Sequence, residues 1–213
     1  VPHNNQAFER FTESGPIALL PMSGNRCSLV WTVNTGDDAA VLELTDNDFL
    51  YALGDAFGYR LGRFTRVGRR SAFALRLTQS SQLTADRVAM IGNAAHALHP
   101  VAGQGLNLAL RDIAELAEQV ASAIENDEDI GSLGVLNAYA SLRKKDTART
   151  IQYTDSLVTL FSNDGFLLGH ARALGLSLVD RLSPLRRVLA KQSMGLASCS
   201  SRLSRGLPLK ESV

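Results

Sequence analysis

The stretch 86–112, DRVAMIGNAAHALHPVAGQGLNLALRD, constrains the fold more than any other part of the chain. Val88, Ala89, Met90 and Ile91 form an apolar run that is long enough for a buried strand and too short for a helix. Gly92 ends the run, and the small residues Asn93, Ala94 and Ala95 after it let a ligand approach the backbone closely. Gly103 and Gly105 flank Gln104 just before a strongly periodic segment. The order is strand, small-residue turn, proline-bearing loop, glycine loop, helix start. A helix start carries unpaired N–H groups and a partial positive charge, which suits a phosphate or an electron-rich ring edge.

GNAAHALHPVAGQGLNLALRD resembles the second flavin signature of the aromatic-ring hydroxylases, the FAD-dependent monooxygenases related to para-hydroxybenzoate hydroxylase. Gly92, Ala94, Ala95, His96, Pro100, Gly103, Gln104, Gly105, Asn107 and Asp112 match its fixed positions. Asn93 departs from it, because the family places an Asp there to hydrogen-bond the ribityl chain of FAD. Asn keeps an acceptor, adds donors and carries no charge. The resemblance implies that Gly92, Asn93, Ala94, Ala95 and His96 hold the ribityl side of FAD. It implies that Pro100 lines the isoalloxazine, and that Gly103, Gln104, Gly105, Leu106 and Asn107 present amides to its N1 and C2 carbonyl edge. It also implies NADH or NADPH as reductant and hydroxylation of an electron-rich phenol. It identifies no catalytic side chain.

FERFTESGPIALLPM with SLVW is similar to the substrate-domain sheet of the ubiquinone-biosynthesis branch of the same family. The implied substrate is a lipid-soluble prenylated phenol. The implied fold is α+β: an antiparallel substrate-domain sheet and helix over 1–85, the second FAD motif and its helix over 86–127, then C-terminal helices and a basic tail over 128–213. No GxGxxG occurs, and Val1 is not a Met. With the resemblance, this gives the expectation that the chain is the C-terminal fragment of a two-domain FAD/NAD(P)-type monooxygenase, inactive without the portion that grips the ADP half. A non-catalytic partner or regulatory domain that keeps the fold without stable FAD is the alternative reading, and a carrier of hydrophobic ligands is a third.

Along the chain, residues 6–12, 17–20 and 27–33 read as three strands, with turn chemistry at 14–16 and 23–25 and Pro21 ending the second. Short turns make them an antiparallel meander. Thr45 or Asp46 caps a helix through Phe49, Leu50, Leu53 and Phe57, closed by Gly58. Residues 60–77 read as extended segments carrying Arg63, Arg66, Arg69, Arg70 and Arg76. The best helix is 105–124, with Leu106, Leu110, Ile113, Leu116, Ala117, Val120 and Ile124 as its buried stripe and Arg111, Glu115, Glu118 and Ser122 on another face. Ser132 caps a long helix to about 161, on which Tyr139 and Arg143 resemble a family pair, and Gly165 breaks the pattern. Two shorter helices follow at 169–179 and 184–196.

Composition narrows the alternatives. At 45% hydrophobic and 20% charged the chain can bury a core, and a net charge of +1 makes no general case for nucleic acid. Cys27 and Cys199 stand alone, which favours a reduced, cytoplasmic setting. No apolar run reaches bilayer length. His96 and His99 form an HxxH with no third ligand, so no metal site is expected. GxSxG and CxxC are absent, and 126–129 lacks the spacing of an EF-hand. From Arg181 onward the basic residues 181, 186, 187, 191, 202, 205 and 210 face one acid, Glu211, with leucines between them. Such a tail suits a solvated face, an anionic membrane surface at the inner membrane, or another ubiquinone-biosynthesis protein.

Overall fold

The computed structural model describes residues 1–98, 103–161, 166–196 and 201–209, and of 166–173 the backbone alone. The chain mixes strands and helices and divides into two compact units, 1–74 with 158–170 and 75–157 with 171–213.

The first unit opens with the expected meander: β1 (Phe8–Thr12), β2 (Gly15–Met22) and β3 (Arg26–Trp31), antiparallel in the order β1-β2-β3. Leu19 stands between Phe8 and Leu29 in the register, and Ile17 faces Trp31. Pro21 does not end β2, because the strand runs on to Met22 and Pro21 pairs with Cys27. A proline at a strand's end costs one amide donor and leaves the rest of the ladder intact.

Helix α1 (Asp38–Glu43), which no periodicity announced, precedes α2 (Asp46–Phe57). α2 begins and ends where its residues say it should. The Thr45 hydroxyl accepts from the Asp48 amide at 3.2 Å, and the Gly58 amide donates to the Gly54 carbonyl at 2.8 Å. Phe49, Leu53 and Phe57 of α2 close on Ile17 and Leu19 to make this unit's core. Residues 61–77, within the stretch 60–77 expected as extended segments, pair with no strand. Their arginines serve the core locally. Arg70 donates to the Leu44 carbonyl at 2.9 Å, pairs with Asp46 at 3.2 Å and lies 4.9 Å over the Phe49 ring.

The second unit holds short paired strands, β4 (Thr78–Gln79) with β7 (His96–Ala97) and β5 (Thr84–Ala85) with β6 (Val88–Ala89). The run 88–91 is therefore a hairpin arm rather than a buried strand, and Val88 is 51% exposed. Its long helices are α3 (Gln104–Glu125) and α4 (Leu133–Phe161), followed by α5 (Phe166–Arg181) and α6 (Ser183–Ser193). Gly165 lies outside the described residues.

The packing of α3 inverts the sequence expectation. Leu106, Leu110, Ile113 and Ile124 are 70%, 54%, 49% and 59% exposed, whereas Arg111, Asp112 and Glu115 are buried. α4 does the same, burying Arg143, Asp146, Thr147, Thr150 and Thr154 along with Val135, Leu136 and Tyr139. Charges go inside only when they meet partners, and the polar faces of the two helices supply each other's. Leu133 and Leu142, which the helical spacing Leu133, Leu136, Tyr139 and Leu142 assigns to the buried stripe of α4, are exposed.

Candidate flavin site

Gly92–Ala94 form a single 310 turn between β6 and β7. Gly92 takes φ +57°, and a Cβ there would stand 3.4 Å from the Ala109 side chain, so the turn lies close against α3. Asn93 and Ala94 are exposed at its tip, while Ala95 and His96 turn inward to 1% and 3% exposure. The turn thus offers its small residues outward and anchors itself through the next two.

Gly103 precedes α3 in the left-handed conformation, φ +60°, and makes no side-chain cap. Among the described residues, a Cβ on Gly103 or on Gly105 would meet nothing within 4 Å. The start of a 22-residue helix carries a partial positive charge that suits an electron-rich ligand. Leu106 is exposed and Asn107 half-buried in its first turn. Gln104 is buried instead, and its side-chain amide donates to the Ser193 carbonyl at 2.6 Å. Pro100 and His99 lie outside the described residues.

Behind the turn sits a network of buried charge. Asp112 Oδ2 accepts from the Gly92 amide at 2.9 Å and from His96 Nε2 at 2.8 Å. Its Oδ1 accepts from Arg143 Nε at 2.7 Å. Arg143 Nη1 reaches Asp146 Oδ2 at 2.6 Å, and Arg111 Nε donates to the same oxygen at 2.8 Å. Burial pushes the Asp112 carboxyl up, but the bonds from His96, Gly92 and Arg143 together outweigh it and hold the carboxyl below its usual range. Burial likewise pulls Arg143 down, and the charges of Asp146 and Asp112 more than restore it. The Tyr139 hydroxyl donates to the Met90 carbonyl at 2.9 Å, and burial first, then the Asp112 charge, raises its pKa.

Among the residues expected to bind FAD, the described ones fall into two groups: the turn 92–96 and the α3 start 103–107. From the sequence, Asp112 belongs to the motif without a task, Arg111 falls on the face opposite the expected buried stripe, and Asp146 is not singled out. Their signal was present as charges three or four apart, Arg143 with Asp146 and Arg111 with Glu115, on helices that also carried leucines.

Comparison with known proteins bears on this site. The chain is 41% identical over 210 residues to the ubiquinone hydroxylase UbiL of Rhodospirillum rubrum, covering 97% of this chain and 49% of that protein. It is 32% identical over 228 residues to the human mitochondrial ubiquinone biosynthesis monooxygenase COQ6, covering 92% of this chain and 48% of the relative. The chain therefore spans about half the length of these relatives. In fold it is similar to the Diels-Alderase PyrE3 of pyrroindomycin biosynthesis, with a TM-score of 0.65 at 20% identity over 92% of this chain and 41% of the other. Residues 2–154 match the family model described as an FAD binding domain, and the chain belongs to that family.

Proposed function

We propose that this chain is the C-terminal part of a flavin-dependent monooxygenase that hydroxylates a prenylated phenol, such as an octaprenyl-methoxyphenol, in ubiquinone biosynthesis. The observation that carries the reading is the left-handed Gly103 at the start of α3 together with the Gly92–Ala94 turn packed against that helix, in a chain of the FAD-binding family. The fit is one of both shape and charge, because no described atom lies within 4 Å of a Cβ on Gly103 or Gly105 and a helix start carries a partial positive charge.

Gly92, Asn93, Ala94, Ala95 and His96 would hold the ribityl side, and Pro100 with the 103–107 amides the ring. The chemistry supplied by bound FAD is reduction by NADH or NADPH and insertion of one atom of O2 into the phenol. The chain's own part is to bind, to orient and to stabilise negative charge at the ring edge through helix-start amides.

The partner of first importance is the N-terminal portion of the parent, which would carry the ADP-binding GxGxxG unit. Relatives twice as long support it, and so does the apolar stripe that α3 leaves uncovered. The chain alone would bind FAD weakly and turn nothing over. Within it, 1–85 would serve the substrate, 86–127 the flavin and 128–213 the C-terminal helices.

No helix among the described residues is long and apolar enough to cross a membrane. α6 carries Arg186, Arg187 and Lys191 with Leu185, Val188 and Leu189 exposed, which favours peripheral contact with an anionic inner-membrane face from the cytoplasm. There the protein would also meet other ubiquinone-biosynthesis proteins and its lipid-soluble substrate. The test is to purify the parent and this chain side by side. The parent is expected to carry stoichiometric flavin and to hydroxylate a prenylated phenol with NAD(P)H and O2, and the chain to do neither. Stoichiometric yellow protein from the chain alone would contradict the two-part site.

A further inference from the structure

His96 is almost wholly buried, and its Nε2 lies 2.8 Å from Asp112 Oδ2. An ionised carboxylate only accepts, so the ring proton sits on Nε2. In the neutral ring Nδ1 is then a lone pair, and Nδ1 is buried without a partner among the described residues. Asp112 cannot swing away to relieve it. Its second oxygen is taken by Arg143, and Arg143 is held in turn by Asp146, from the next turn of α4. The same carboxylate holds the Gly92 amide, the first residue of the 310 turn. One side chain therefore sets both where the turn begins and which way the imidazole two residues beyond it is protonated.

We propose that Asp112, braced by Arg143, is a positioning residue for the flavin turn: it fixes the Gly92 amide and holds His96 in the Nε2–H tautomer, so that Asn93 and Ala94 stand ready at the turn's tip. This rests on the flavin reading of the stretch 92–107. Neither side chain touches the ligand, because Asp112 and Arg143 are 1% and 3% exposed at their side chains. Their effect passes through the turn's shape. A charged anchor suits the task because each of its bonds is charge-assisted, and such bonds tolerate little displacement.

The experiment uses the full-length parent. Histidine labelled with 15N, with the His96 signal identified by its loss in His96→Gln, reads the tautomer directly. FAD affinity is read by flavin fluorescence. In the unmutated protein His96 is expected as the Nε2–H form. Asp112→Asn is expected to mix the tautomers and weaken FAD binding roughly tenfold, as loss of a charge-assisted anchor would. Arg143→Lys keeps a cation but not the fork, and is the milder variant should Asp112→Asn fail to fold. It is expected to weaken FAD binding in the same direction. A proton on Nδ1 in the unmutated protein would overturn the proposal, as would FAD affinity unchanged in a folded variant. A parent with the Nε2–H form in place that binds no FAD would overturn the flavin reading, while supporting the fixed turn.

Discussion

Arg143 Nε donates to Asp112 Oδ1 across 2.7 Å, joining α4 to α3, and the two side chains are 3% and 1% exposed. Removing either partner strands a charge in the interior, where desolvation is no longer compensated. Asp112→Ala or Arg143→Ala is therefore expected to destabilise the second unit by about 3–5 kcal/mol. Urea unfolding followed by far-UV circular dichroism reads this. The double variant should lose less than the sum of the two, because it leaves neither of these charges facing an empty place.

The same carboxylate sets the acid limb of stability. Its folded pKa is depressed, so its contribution is complete above the unfolded value of about 3.9 and is lost as pH falls through the lower folded value. Stability should thus fall on acidification below about pH 5, with the slope given by the extra proton the unfolded chain binds. In Asp112→Asn that part of the slope should disappear, leaving a flatter profile between neutral pH and pH 3. Denaturation midpoints measured across that range decide it.

Much of the first unit was legible in the residues. Period-two strands with turn residues between them, and a Thr45-to-Gly58 helix with its cap, are local statements, and local chemistry enforces them. The turn at Gly92 and the start of α3 after Gly103 were legible for a related reason, since glycine marks positive φ and close backbone approach. The inside of the second unit was not. Periodicity assigns the apolar face of α3 to the core, but Arg111 and Asp112 find Asp146 and Arg143 across tens of residues of sequence. Pairing at that separation leaves no mark on a hydrophobic pattern. The short strand pairs failed to show for the opposite reason, being too brief for any period.

Thr45→Ala tests the capping of α2. The hydroxyl accepts from the Asp48 amide at 3.2 Å and donates to the Asp48 carboxylate at 2.6 Å. Its loss should cost about 1 kcal/mol. Trp31, the chain's one tryptophan, packs edge-on against Phe49 of α2 at 5.6 Å. Its fluorescence should therefore report the shift, while variants at Asp112 leave that signal's midpoint in place.

Gly105→Val separates folding from flavin binding. Among the described residues nothing stands within 4 Å of a Cβ at Gly105, and the residue is helical without positive φ, so the chain itself should accept the substitution with its circular dichroism unchanged. A branched side chain would fill the space proposed for the ring. The parent carrying it should purify colourless at normal yield. Unchanged flavin absorbance would remove Gly105 from the site.

The exposed stripe of α3 makes a different prediction for each of two forms of the protein. Leu110 is 54% exposed, with Leu106 and Ile113 beside it on the same face. In this chain alone, Leu110→Lys puts a charge into water and should change stability by no more than about 0.5 kcal/mol, with less self-association. If the N-terminal portion of the parent covers that face, the same lysine must be desolvated there without a partner. The parent should then lose thermal stability by several degrees, roughly what 1–3 kcal/mol produces, and release FAD more readily. Thermal melts of both forms, with and without the substitution, measure the difference directly. An equal response in the two would mean that the N-terminal portion leaves α3 bare.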